Sequence, residues 1–368
     1  MTEVEQECFL ILIGRISAKE GICGQARIDR DGAKCYYLDS LESKCVPKRK
    51  RAFERGIIMK TLNVKGVDLS VLSLGTVQLG LNYGINNANG KPSQETANAI
   101  LNAAIEGGIN TLDTAGAYGD SEVVIGNWLK TIPAEKRPFI VTKAVHLDLS
   151  SLENLRNDMF ARVKASKERL GVKQLDLFML HHFDQYLKAK DEMLTVMQEL
   201  KASGEVRLIG ASAYSHHDYG ELADTGFDAT QIPLNLFDWQ QIENGGIQKL
   251  EQAGMMVFVR SVYLQGLVFQ DPDHLAPGME FARDTLVKFR ALCAKYNMSP
   301  AALAMAYAVS LPGVTSLVLG SEKVEQVQQN VQLLEQAAEL TAEQMAEIRE
   351  NFIDTPNRVL NPSIWKQG

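Results

Sequence analysis

From Leu72 onward, short apolar segments alternate with stretches long enough for a helix, and no other feature limits the possible folds as strongly. The segments end near Gly75, Leu112, Lys143, Leu180, Gly210, Ile232, Arg260 and Leu319, at intervals of 22 to 59 residues. A strand and its returning helix occupy roughly 30 residues. Each interval therefore holds one such unit, and the last has room for an additional helix. Eight units in about 250 residues match the size and count of a closed parallel barrel. The expected fold class is α/β, a (β/α)8 TIM barrel with extra helices. An open doubly wound sheet is the rival, but its G-x-G-x-x-G loop does not follow the first strand, where Gly75-Thr76-Val77-Gln78-Leu79-Gly80 stands.

The intervening stretches carry helix boundaries. Pro92-Ser93 precedes an apolar-periodic run over Thr96–Ile105, which Gly107-Gly108 ends. A helix over Leu152–Leu170 stops at Gly171, and Met193, Val196, Met197 and Leu200 recur at helical spacing before Gly204. Phe281–Tyr296 supplies the additional helix, Pro300 opens another over Ala301–Val309, and Val324–Gln336 and Ala342–Phe352 close the chain. Ahead of the barrel, Lys60–Gly75 reads as two short strands around Lys65-Gly66-Val67-Asp68.

Residues 1–58 differ from the rest. They lack a sustained period, hold 11 basic and 9 acidic residues, and carry Lys48-Arg49-Lys50-Arg51, read as a solvated linker. We expect a weakly ordered extension over 1–58, of the kind an upstream start codon would add, and a folded domain over 59–368 that begins at Met59. The formal net charge of −7 gives no general attraction to nucleic acid or to an anionic membrane. The apolar run Cys8–Ile13 is too short to span a bilayer or to serve as a signal-peptide core, so a cytoplasmic location is expected. Cys8, Cys23, Cys35, Cys45 and Cys293 show no paired C-x-x-C spacing, and reduced thiols with no metal are expected.

A barrel of this kind places its chemistry at the carboxyl ends of its strands. The second strand ends at Asp113 with Tyr118 on the Gly-rich loop beyond it, the third ends at Lys143, and the fourth runs into His181-His182. An Asp beside a Tyr is on its own commonly structural. The lysine and histidine change the reading, because a phenol with a pKa near 10 becomes a usable acid when an ammonium stabilises its phenolate. Tyr118 would give the proton, Lys143 tune it, Asp113 anchor Lys143, and His181 orient a carbonyl oxygen. Such a set suits protonation of an oxygen as hydride reaches carbon.

Asp113-Thr114-Ala115-x-x-Tyr118-Gly119-x-Ser121-Glu122, Lys143, Leu180-His181, Ile209-Gly210-Ala211-Ser212, Gln231-x-x-x-Asn235 and Gly320-Ser321 leading to Asn330 follow in this order on these strand ends. In this the chain resembles the aldo-keto reductase family over about residues 60 to 335. The resemblance implies a barrel whose base is capped by an N-terminal hairpin, a nicotinamide cofactor, and Asp113, Tyr118, Lys143 and His181 as catalytic residues. It also implies a cofactor site. Ser212 and Gln231 match the positions that bond the carboxamide, Ala213 replaces the usual Asn, and Arg260 stands where many members stack an aromatic ring on the nicotinamide. Ser261, Leu264 and Gly266 fall on the stretch that wraps the pyrophosphate, and Gly75, Thr76, Gly320, Ser321, Glu322, Gln326 and Asn330 complete the set.

The cofactor is expected to be NAD(H) or NADP(H). Glu322 and Gln326 occupy positions where NADP-preferring members carry a cation, so NAD(H) is the expected preference. Tyr83, Phe183, Tyr214, Phe237, Trp239 and Tyr263 are candidate pocket walls suited to a small carbonyl substrate such as an aldehyde, ketone or sugar. The alternative to a carbonyl reductase is a non-catalytic NAD(H)-sensing regulatory protein on the same fold. The altered carboxamide and ring positions leave that alternative open.

Overall fold

The computed structural model describes residues 50–51, 59–83 and 90–365. The expected weakly ordered extension, with Cys8, Cys23, Cys35 and Cys45, therefore lies outside the described residues apart from Lys50 and Arg51. Those two form a strand, β1, paired antiparallel with β2 (Lys60–Val64). The sequence placed them in a linker because they show no apolar period, but a backbone pairing needs only N–H and C=O groups. β2 turns back into β3 (Val67–Ser70) through Lys65 and Gly66, both left-handed at φ 49° and 75°. Two positive φ values in a two-residue hairpin loop match the twist of the strands it joins.

Eight parallel strands then close a barrel in chain order: β4 (Leu72–Gly75), β5 (Thr111–Asp113), β6 (Phe139–Ala144), β7 (Leu175–Leu180), β8 (Val206–Ser212), β9 (Ala229–Pro233), β10 (Met256–Arg260) and β11 (Ser316–Gly320). β11 closes the ring against β4, with Gly320 opposite Gly75. The helices form where their boundaries predict. Ser93 and Ser151 cap Gln94–Glu106 and Leu152–Leu170, Gly171 ends the latter at φ 69°, and Ser299 caps Pro300–Ser310. Thr341 and Gln344 make a reciprocal capping box at the start of Ala342–Phe352.

Alternation along the strands divides their side chains into two sets. One set, Phe139, Val141, Leu177, Met179, Leu208, Ala229, Met256, Phe258 and Val318, fills the barrel interior together with Val67 and Leu69 of the hairpin. The hairpin thus plugs one end. The other set, including Leu112, Ile140, Phe178, Ile209, Ile232 and Val257, packs outward against the helices. Continuing the interior phase to the carboxyl ends gives Gly75, Asp113, Lys143, Ser212, Gln231, Arg260 and Gly320, with His181 two residues beyond Met179. The polar layer is therefore the last interior layer of the barrel.

Two contacts hold the loop that carries Tyr118. Glu122, 1% exposed, accepts from Thr142 Oγ1 at 2.6 Å and from Arg169 Nε at 2.7 Å. This links the helix Ser121–Leu129 to β6 beside Lys143 and to the helix Leu152–Leu170. Gly80 forms the second contact, since a Cβ there would lie 1.8 Å from the Tyr118 carbonyl oxygen and 2.6 Å from the Ser121 nitrogen. Overpacking of this kind costs about 1–3 kcal/mol. Gly80→Ala is expected to lower the free energy of unfolding in urea by about 2 kcal/mol, and an unchanged midpoint would show that the loop does not bear on this glycine.

Candidate active site

The carboxyl end of the barrel opens into a cleft of about 510 Å³, within the range of about 300–1,000 Å³ usual for small-ligand sites. Asp113 and Tyr118 line it, while Lys143 lies beneath them with its side chain fully buried. Lys143 Nζ donates to Asp113 Oδ1 at 2.6 Å and to the Thr114 carbonyl oxygen at 3.0 Å, and lies 5.2 Å from the centroid of the Tyr118 ring. The His181 ring stands edge-on to Tyr118, with centroids 5.6 Å apart and planes at 80°. The four side chains expected from the strand ends therefore meet at one place.

Their electrostatics follow from burial and neighbours. Burial pulls the Lys143 ammonium down, but Asp113 and then Tyr118 more than offset it and hold its pKa above the usual lysine value. Burial pushes the Tyr118 phenol up, with Lys143 opposing. His181 is driven down to about 3, by burial first and then by the charge of Lys143, so its imidazole is neutral at physiological pH. Its Nδ1 is buried without a partner among the described residues. The arrangement can hold a neutral N–H donor and a phenol against one oxygen atom, with a fixed cation behind the phenol.

The expected cofactor residues divide. Gly75, Thr76, Gln231, Arg260, Ser261, Gly266, Gly320, Glu322 and Gln326 line the cleft. Ser212, Leu264 and Ser321 are buried and do not line it, and Asn330 is turned to the Tyr263 hydroxyl, which donates to it at 3.2 Å. Gln231 Nε2 donates to Asp113 Oδ1 at 2.7 Å, which leaves its carbonyl oxygen as an acceptor on the cleft. A nicotinamide carboxamide offers the matching N–H donors. Ser261, Leu264 and Gln265 hold positive φ values of 64°, 45° and 53° without being glycine, which is backbone strain of the kind found at ligand clamps. Gln265 Nε2 donates to the Tyr83 hydroxyl at 3.2 Å, joining the loop after β4 to the loop after β10. Gln78 Oε1 and Ser321 Oγ, both buried and without a partner among the described residues, flank Gly320. The residues present fit a nicotinamide dinucleotide, which would lie along the cleft and supply a hydride.

The wall aromatics also divide. Tyr83, Tyr214 and Tyr263 line the cleft, but Phe183, Phe237 and Trp239 do not. Phe183 stacks on Tyr186, Phe237 packs edge-on to Phe289 and Phe352, and Trp239 packs against Tyr307 while its indole donates to the Leu236 carbonyl. Nearness to a strand end made them candidates, and packing against the helix layer claims them. Gln78, Gly80 and the Glu122–Arg169 pair were missed as parts of the site. Only Glu122 carried a signal, as the last residue of the Asp113 motif.

Asp184, His216 and His217 can bring one ligand atom each within 4.8 Å of one another. His217 Nδ1, however, accepts from the Tyr214 backbone N–H at 2.9 Å, so its neutral ring carries the proton on Nε2, 3.3 Å from Asp184 Oδ1. A metal-binding histidine donates from its second nitrogen, and this one accepts there.

Comparison with known proteins identifies the family. Residues 71–352 match the model of the Aldo/keto reductase family. An NADH-specific methylglyoxal reductase of Escherichia coli is 28% identical over 310 residues, covering 74% of this chain and 92% of the relative. A putative voltage-gated potassium channel subunit beta of Schizosaccharomyces pombe is 25% identical, covering 82% and 95%. In fold, the chain is similar to a glycerol dehydrogenase from Gluconobacter oxydans, with a TM-score of 0.65, 24% identity, and 82% and 98% of the two chains covered. With the family model spanning most of the barrel, the chain belongs to the aldo/keto reductase family and is an NAD(P)-dependent oxidoreductase.

Proposed function

We propose that the protein reduces a small aldehyde, ketone or sugar carbonyl to the alcohol, with Tyr118 as the proton donor and NAD(H) as the preferred cofactor. The meeting of Asp113, Lys143, Tyr118 and His181 at the cleft floor carries this reading. When bound, the nicotinamide supplies a hydride to the carbonyl carbon. Tyr118 gives its proton to the carbonyl oxygen, so the C=O double bond becomes C–H and O–H. Lys143 favours the phenolate left behind, and Asp113 keeps the ammonium in place. His181, neutral at the working pH, offers an N–H to the oxygen on which charge develops.

The NAD(H) preference rests on Glu322 and Gln326. Glu322 is on the cleft, and burial raises its carboxyl pKa. Its backbone N–H is held by Gln326 Oε1 at 2.6 Å. A carboxylate here accepts from a ribose hydroxyl and repels a 2′-phosphate. The relative from Escherichia coli, named as NADH-specific, is in line with this.

Three measurements test the proposal. Tyr118→Phe is expected to lower kcat by about 10²–10⁴ across a panel of aldehydes, ketones and keto sugars while NADH still binds. Tight NADH binding by the unaltered protein with no turnover of any member would instead support a cofactor sensor. The rate of reduction is expected to be level through neutral pH, because His181 titrates near 3, and to fall on the alkaline side as Tyr118 loses its proton. Since the Lys143 charge lowers the Tyr118 pKa, Lys143→Met should move that alkaline fall upward in pH. NADH is expected to bind at least about tenfold more tightly than NADPH, and Glu322→Arg to reverse the order. Tighter NADPH binding by the unaltered protein overturns the preference.

A further inference from the structure

Arg260 is the final residue of β10, shares the inward phase of the catalytic layer, and lines the cleft. Its guanidinium carbon lies 4.7 Å from the centroid of the Tyr214 ring. Its bonds are few and long, Nη1 to Ser261 Oγ and Nη2 to the Ala213 carbonyl oxygen, each at 3.4 Å. It makes no ion pair among the described residues, whereas Asp113 on the same cleft is already matched by Lys143. A half-buried guanidinium with five N–H donors and no carboxylate is a receptor for an anion.

The position of the charge separates the possible anions. Burial dominates the titration of Tyr83, Tyr118, His181 and His182, and the Arg260 charge adds to it at the histidines and opposes it at the tyrosines. Of these, Tyr83 and Tyr118 line the cleft, and His181 stands edge-on to Tyr118 with His182 stacked on it. At the far end, Glu322 responds to burial and to Lys323, and Tyr263 to burial alone. The guanidinium lies over Tyr214, which stacks on His182 at 6.2 Å, and His182 stacks on His181 at 5.2 Å, so it borders the place of the carbonyl as well as Ser261, the first residue of the stretch assigned to the pyrophosphate.

We infer that Arg260 is a specificity-determining residue that receives the carboxylate of the substrate, so that the preferred substrates are small oxo acids. The inference rests on the carbonyl-reductase reading of the same site. Tyr214 holds the guanidinium against its ring, and the N–H edge left free pairs with a planar carboxylate. The reaction is unchanged, with hydride to the carbonyl carbon, a proton from Tyr118 to its oxygen, and the carboxylate intact throughout.

The test compares aldehydes of equal chain length with and without the charge. Succinate semialdehyde is expected to exceed butanal in kcat/KM by about tenfold or more, the size of one charge-assisted bidentate contact. Arg260→Met should bring that ratio close to one, mainly through KM for the oxo acid, and Arg260→Lys should restore part of it. Calorimetric titration of succinate into the NADH-loaded protein reads the anion site without turnover, and binding lost in Arg260→Met supports the inference. If butanal is turned over as well as succinate semialdehyde and succinate does not bind, the inference is wrong. It is equally wrong if Arg260→Met weakens NADH binding tenfold while leaving the substrate ratio intact, since Arg260 would then serve the cofactor. Arg260-dependent succinate binding without turnover of any carbonyl would fail the reductase reading while leaving the anion site standing.

Discussion

The buried contact between Lys143 and Asp113 is the constraint on which the carboxyl end of the barrel depends. A lone ammonium at that depth would cost several kcal/mol or lose its proton. The carboxylate at 2.6 Å and the Thr114 carbonyl at 3.0 Å prevent both outcomes. The same Asp113 oxygen accepts from Gln231 at 2.7 Å, which draws β9 into the arrangement. Three strands are thereby fixed around one carboxylate. The geometry at Tyr118 follows from where that carboxylate sits.

The surrounding polar contacts serve this pair more than they serve overall stability. Glu122 joins the helix after the Tyr118 loop to Thr142, the neighbour of Lys143, and Arg169 neutralises it from outside. Buried pairs of this kind contribute little compared with apolar packing, and their loss is costly because one charge is left alone. Their effect here is to fix the position of β6 relative to the loop. The apolar interior, from Phe139 and Val141 to Met256 and Phe258, supplies the burial that holds the barrel together.

Most of the fold was legible because strands and helices were separated by glycine, proline and serine boundaries. Every observed barrel strand ends within two residues of its expected place. The catalytic candidates were legible for a related reason, since Asp113, Lys143 and His181 break otherwise apolar strands at their carboxyl tips. The loops were less transparent. Phe183, Phe237 and Trp239 sit near strand ends in sequence, but which way a loop folds depends on the helices it meets, and those contacts leave no local pattern. Lys50 and Arg51 were misplaced because strand pairing through backbone groups alone makes no demand on side chains. That Arg260 makes no ion pair among the described residues could not be read from sequence either, because it is a fact of three-dimensional packing.

The hairpin that plugs the barrel has an effect at its opposite end. With Val67 and Leu69 completing the apolar filling, the charges above rest on a poorly polarisable floor. Their field cannot relax downward into water and is directed up into the cleft. A two-strand stopper far from any substrate thus acts as electrical insulation, and a leak at the base would weaken the pull that Lys143 exerts on the phenol above it.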